Sequence, residues 1–299
     1  MTPPPTCTLI RGGRVLTMGQ TPGARRGSGL GELHAIDGGD VLIRGGEIEA
    51  VGAGLNAPEG CEVLEARGRV VMPAFVDCHT HACWAGDRLD EWEQKQKGAS
   101  YLELLKAGGG IMSTVRAVRA TDEDRLSDDL CARLRVMLHE GTAHAEVKSG
   151  YGLSTSHELK MLRAIARAAD TFPGSVHSTA CIGHAIDPDG DGFMESTIGE
   201  TIDAVHAEFP GITIGAYCGQ GAWSLPDCRR LFDRAKELGH PVRVHADQFN
   251  SLGMIPEAVR RGFVSVDHLE ATTPDDLLAL APSDTFGVML PCSGFHVDG

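Results

Sequence analysis

Apolar and polar positions change their rhythm once along the chain. In the first seventy residues, short β-type runs such as "TLIRGGRVLTM", "GDVLIRGGEIEAVGAG" and "CEVLEARGRVVMP" are broken by Gly-Gly pairs and by Asn or Pro. That punctuation predicts hairpins of a small antiparallel, β-sandwich-like domain over residues 1–72, with "GQTPGARRGSGLGE" as a surface loop. From residue 73 the rhythm becomes apolar strand, loop and long helix, repeated. "VVMPAFVD", "GTAHAEVKSGYG", "SVHSTACIGHA", "GITIGAYC", "PVRVHAD", "FVSVDHLE" and "TFGVMLP" read as strands. "TDEDRLSDDLCARLRVMLHE", "STSHELKMLRAIARAAD" and "SLPDCRRLFDRAKELGH" space their apolar residues by three and four, as helices do. The first two open on N-cap residues followed by acids.

Buried strands alternating with helices predict an α/β fold with a parallel sheet, a (β/α)8 TIM-type barrel over residues 73–299. Seven strands are legible where such a barrel needs eight. Seven alone would leave two long apolar edges unpaired, so the expectation is a chain shortened at its C-terminal end, or an eighth strand supplied from elsewhere.

In a barrel, chemistry sits where the strands end. Here those ends carry His79, His81, Tyr151, His184, His245 and His268. Side chains two apart in an extended segment point to one side, so His79 and His81 aim two imidazoles at one point. A lone His-x-His is more often a surface pair in a turn. Several more polar strand ends on the same face make a transition-metal site the better reading, since neutral imidazole suits zinc, iron, copper or nickel. His139, His144, His157, His177, His206 and His240 fall on helices or early in strands and read as structural. "DPDGDGFMES" imitates a calcium loop but places Ile198 where a bidentate Glu is needed, so it reads as a solvated acidic loop. "KAGGGIMS" lacks the Lys-Ser/Thr of a phosphate loop and reads as a turn near the pocket.

Composition adds limits. With 27 Lys+Arg against 41 Asp+Glu the net charge is −14, and no basic stretch suits nucleic acid or an anionic membrane. No apolar run approaches the ~18 residues that cross a bilayer. The start, "MTPPPTCTLIRGG", lacks the order of a signal peptide. Nine cysteines without a CxxC pair, in a chain too long to need disulfide staples, point to a reducing cytoplasm.

"HTHACWAGDR", "GASYLELLKAGGGIMSTVRAVRA", "EVKSGYGLSTSHELKMLR", "GHA", "HADQ" and "DHLE" together resemble the amidohydrolase superfamily and, within it, the imidazolonepropionases. The resemblance covers nearly all of residues 70–299. It implies hydrolysis of 4-imidazolone-5-propanoate to N-formimidoyl-L-glutamate in histidine degradation. It further implies that His79, His81 and His245 bind the metal, and that Arg88, Tyr151, His184, Gln248 and Tyr101 hold this small-molecule substrate. His268, placed to handle protons or polarise the attacked carbonyl, and Gln248 are the implied catalytic residues. The family's further ligand, an aspartate ending strand eight, has no counterpart here. Barrels of this kind often form homodimers.

The residue types suit that chemistry without the name. A metal with an open position brings the pKa of its water to ~7 and acts as a Lewis acid. Arg88 offers a planar bidentate donor for a carboxylate, and Gln248 both donates and accepts. Lys148 follows strand two rather than strand four, where a metal-bridging lysine would lie, so one ion, zinc or iron, is expected. Two other readings share the scaffold: a different amidohydrolase, such as a deaminase or cyclic amide hydrolase, or an inactive truncated barrel that acts as a binding protein.

Overall fold

A computed structural model describes residues 7–19, 23, 25–98 and 109–298, the side chains of 295–298 excepted. The chain divides into two units, Met1–Ala74 and Phe75–Gly299. The first is a five-stranded sheet of β1 (Cys7–Leu16), β2 (Ala35–Arg44), β3 (Glu47–Ala53), β4 (Glu62–Glu65) and β5 (Val70–Val71), ordered β3-β2-β1-β4 with β5 also on β1. Gly45 and Gly46, both at positive φ, make the tight turn of the β2–β3 hairpin.

Two features depart from the sequence reading. The described strands form one sheet rather than a sandwich, and β4 and β5 run parallel to β1. A two-residue turn joins only antiparallel neighbours, so the chain between β3 and β4 must instead cross back over the sheet. The buried Asp40 ties that crossing down, accepting the Gly12 and Leu55 amides at 2.8 Å each. The same parallel register brings Cys7 beside Cys61, and the two are disulfide-bonded, where the sequence argued against any staple.

The described residues of the second unit hold seven parallel strands in chain order: β6 (Phe75–Asp77), β7 (Thr142–Lys148), β8 (Ser175–Gly183), β9 (Thr213–Cys218), β10 (Val242–Ala246), β11 (Ser265–His268) and β12 (Phe286–Met289). Each falls inside one of the seven apolar runs. Helices lie between them: α1 (Leu89–Gln96), α2 (Ile111–Ala120) and α3 (Glu123–His139) between β6 and β7, and then α4 (Thr155–Thr171), α5 (Ile202–Glu208), α6 (Leu225–Glu237), α7 (Met254–Arg261) and α8 (Pro274–Leu280), one of these in each later interval. Asp122, Ser224 and Thr273 cap α3, α6 and α8 by accepting an amide three residues on, each replacing a bond the first turn lacks. Leu126, Leu130 and Leu134 lie one turn apart along α3 and are wholly buried in the same core as Met161 and Ile165 of α4. Truncating one of them to Ala costs about 2–5 kcal/mol.

Strand alternation divides this sheet into two chemically different faces. Ala145, Val147, Ala180, Ile182, Ile214, Ala216, Val242, Val244 and Val266 belong to the apolar core. Their alternates are Glu146, Lys148, Thr179, Arg243, His245 and Asp267, all buried. The buried polar face is concave. In a flat sheet, β6 and β11 would lie about 24 Å apart, five ladder steps of ~4.8 Å. Yet His79, just past β6, reaches Asp267 of β11 at 2.7 Å. The sheet is therefore curled like a TIM-type barrel wall. Phe75 and Val76 at one edge, and Phe286 and Met289 at the other, are more than half exposed.

Candidate metal centre

Five histidines meet at the C-terminal ends of these strands. His79 and His81 follow β6 on alternate residues, with ring centroids 5.5 Å apart. His245, on the concave face of β10, lies 4.7 Å from His79 and 5.2 Å from His81, and its Nε2 is 3.0 Å from that of His81. His268 stands 5.5 Å from His79 and 5.4 Å from His245. Regular alternation would send His268 to the opposite face from Asp267. Its φ of +92° turns the backbone, and the ring enters the cluster instead. A non-glycine residue in that region costs of order 1–3 kcal/mol, which the surrounding structure must offset.

The loop after β7 presents Tyr151. Glu158, at the start of α4, accepts the amides of Gly150, Gly152 and Leu153 at 2.8–3.0 Å. Arg119 of α2 donates to the carbonyls of Gly152 and Leu153 and to Asp187. Asp187, from the acidic loop, is thus held by an ion pair. His184 donates Nδ1–H to the Gly150 carbonyl, stacks on His81 at 4.4 Å, and lies 5.3 Å from Tyr151. Arg133 fixes the segment after His81, bonding the carbonyls of Ala82 and Trp84 and stacking on the Trp84 ring.

Burial disfavours the charged form of four of these rings, those of His81, His184, His245 and His268. It drives His81 and His245 well below the usual histidine range, helped by the neighbouring imidazoles and Lys148. It brings His184 to about 4, although the Gly150 hydrogen bond works the other way. His268 is lowered by burial, with Glu270 opposing. Burial also pushes the Tyr151 phenol up to about 12. Neutral imidazole is the protonation state that binds a metal.

Two groups of three ring nitrogens lie within 4.8 Å of one another among the described residues: His79, His245 and His268, and His81, His184 and His245. The sequence-expected set, His79, His81 and His245, draws on both. His81 and His184 are stacked nearly parallel, at 16°. Lone pairs lie in the ring plane, so stacked rings converge poorly on one ion. The rings of His79, His81 and His245 are inclined at 45–74° to one another. Among the described residues, buried His81 Nδ1 has no hydrogen-bond partner. The donor set fits one transition-metal ion.

The structure gathers His79, His81, Tyr151, His184, His245 and His268. Arg88 stands apart: at the start of α1 it is exposed and ion-paired with Glu91 at 2.7 Å, though its charge still acts on Tyr151. Gln248 is half-buried, two residues past β10. Tyr101 lies outside the described residues.

Beneath the histidines lies a charged layer that the sequence reading passed over. Lys148 contacts both oxygens of Glu146 at 2.5 Å, and Arg243 bridges Glu146 at 3.2 Å and Asp267 at 3.0 Å. Its signal was a charge inside an otherwise apolar strand, two residues from another inward-facing polar residue, in "AEVK", "VRVH" and "SVDH".

No family model matches the chain. An imidazolonepropionase of Herpetosiphon aurantiacus is 43% identical over 296 residues, covering 95% of this chain and 69% of its own length. One from Deinococcus radiodurans is 40% identical and covers 92% and 69%. The chain belongs to the imidazolonepropionase family. Like its sequence, its fold has relatives. A triazine hydrolase from Arthobacter aurescens superposes with a TM-score of 0.62 over 98% of this chain at 14% identity, covering 67% of that chain. An N-isopropylammelide isopropylaminohydrolase from Burkholderia multivorans gives 0.58 over 95% at 20% identity. These likenesses carry the fold alone. The chain spans about two thirds of the length of the proteins it matches.

Proposed function

We propose that the chain hydrolyses 4-imidazolone-5-propanoate to N-formimidoyl-L-glutamate, with His79, His81 and His245 as ligands of one zinc or iron ion. The observation that carries this reading is the convergence of inclined, desolvated imidazoles from separate strands, in a chain of this family. When bound, the ion supplies a nucleophile that forms near pH 7 and a Lewis acid for the attacked carbonyl.

The chain's own residues do the rest. His268, held in the cluster by its strained backbone, takes or returns the proton as the ring C–N bond opens. His184, with Nδ1–H committed to Gly150, turns Nε2 toward the substrate as an acceptor. Tyr151 stays protonated and donates its hydroxyl. Arg88 exchanges Glu91 for the propionate carboxylate, a planar pairing Lys could not reproduce. Gln248 reads the ring amidine, and Tyr101 adds a contact. The cytoplasmic setting and a homodimer remain part of this proposal; no helix among the described residues is long and apolar enough to cross a membrane.

The test is incubation of the metal-loaded protein with imidazolone propionate, followed by loss of its ultraviolet absorbance. Turnover of a different ring, with this one untouched, would transfer the site to another amidohydrolase activity. A protein that cannot be loaded with any transition metal would favour the non-catalytic binding reading.

A further inference from the structure

We propose that Asp267 is the positioning residue for His79, holding its ring so that Nε2 is the nitrogen offered to the ion. This rests on the reading of His79 as a metal ligand.

His79 Nδ1 lies 2.7 Å from Asp267 Oδ2, and Asp267 is wholly buried. The carboxylate is held on every side. Ser265 donates its hydroxyl to Oδ1 at 2.6 Å, and Arg243 donates to Oδ2 at 3.0 Å. An ionised carboxylate only accepts, so the hydrogen on this contact belongs to His79 Nδ1. A neutral imidazole has one N–H. Placing it on Nδ1 leaves the Nε2 lone pair free, and the hydrogen bond sets the ring's plane.

The charged layer also fixes the backbone that carries the two histidines. Arg243 donates to the Cys78 carbonyl at 2.7 Å, just before His79. Glu146 accepts the Thr80 amide at 3.1 Å, and its own carbonyl accepts the Thr80 hydroxyl at 2.7 Å. Two acids, Glu146 and Asp267, balance two bases, Lys148 and Arg243, within contact distance. A buried charge layer is a costly way to fill a barrel interior, since apolar side chains of equal volume often stabilise as well or better. Here each acid also bonds the segment that presents the histidines, which accounts for keeping it.

The experiment uses the full chain with zinc. Competition against a chromophoric chelator measures affinity in wild type, Asp267→Asn, Ser265→Ala and His79→Ala, and thermal unfolding reports the fold. Nitrogen-15 NMR of labelled histidine, with the His79 signals identified by their loss in His79→Ala, reads the wild-type tautomer directly. The expected result is an Nδ1–H tautomer at His79, a loss of zinc affinity of about 10- to 100-fold in Asp267→Asn, and a smaller loss in Ser265→Ala. An Nε2–H tautomer overturns the proposal, including where Asp267→Asn fails to fold. So does a folded Asp267→Asn that binds zinc like wild type while His79→Ala does not. Retention of zinc by His79→Ala overturns instead the ligand reading on which the proposal rests.

Discussion

Two groups of histidines in the barrel unit use the same side chain to opposite ends. His206 of α5 and His240, just before β10, form a closed chain: His206 Nδ1 lies 3.0 Å from His240 Nε2, and His240 Nδ1 donates to the Ile212 carbonyl at 2.7 Å. Every ring nitrogen of His240 is engaged by the protein. At the strand ends, by contrast, His81 and His245 face one another through Nε2 at 3.0 Å, and His245 makes a long 3.3 Å contact to Ala216 on its other nitrogen; among the described residues His81 Nδ1 has no hydrogen-bond partner. Burial alone does not separate the groups, because His240 and His245 are both almost fully covered. Lone pairs in excess of protein donors do. A buried nitrogen without a partner, as at His81, costs about 1–3 kcal/mol, a cost that an ion bound in the cluster would offset.

The sharpest way to break the comparison is to remove one ring from each group. His245→Ala, shared by both three-nitrogen groups, should strip the metal and lower kcat at least about 100-fold, read by elemental analysis and substrate absorbance. His206→Ala should leave metal content unchanged and cost about 1–3 kcal/mol in unfolding. Metal loss from His206→Ala would erase the distinction. Next in size, His81→Ala and His268→Ala separate the ligand sets. His81→Ala should lose metal and His268→Ala should keep it while losing turnover; the reverse would install His79, His245 and His268 as the ligands.

Arg88→Ala sharpens the boundary of the site. It should raise KM at least about 10-fold with metal content intact, and unchanged kinetics would leave Arg88 as the partner of Glu91 alone. The smallest effect concerns pH. His184 sits near 4 when folded and near 6.5 when unfolded, so the unfolded chain takes up the proton first as pH falls. Stability of the metal-free protein should therefore drop between about pH 6.5 and pH 4, and His184→Asn should flatten that slope. No change in slope would show that His184 is more solvated than its stack on His81 implies.

The strands and their ends were legible because the signals are local. "PVRVHAD" and "FVSVDHLE" read as buried strands, and each carries a histidine of the cluster at or next to its end. The parallel placement of β4 and β5 was not, because a strand's direction depends on where its connection crosses, which short apolar runs do not encode. The disulfide was missed for a related reason: Cys7 and Cys61 are neighbours only through that long-range register. The charged layer was hidden by alternation. Glu146, Arg243 and Asp267 lie on three different, mostly apolar strands, and only the curl of the sheet brings them together beneath His79. His268 shows the limit from the other side, because its place in the cluster depends on a positive φ that no spacing rule supplies.

One measurement meets the central claim directly. Anomalous diffraction at the zinc edge from zinc-loaded crystals should give a single peak in this unit, about 2.0–2.1 Å from the ring nitrogens of His79, His81 and His245. A peak at the His206–His240 pair, or one bound by His245 without His79 and His81, would contradict it.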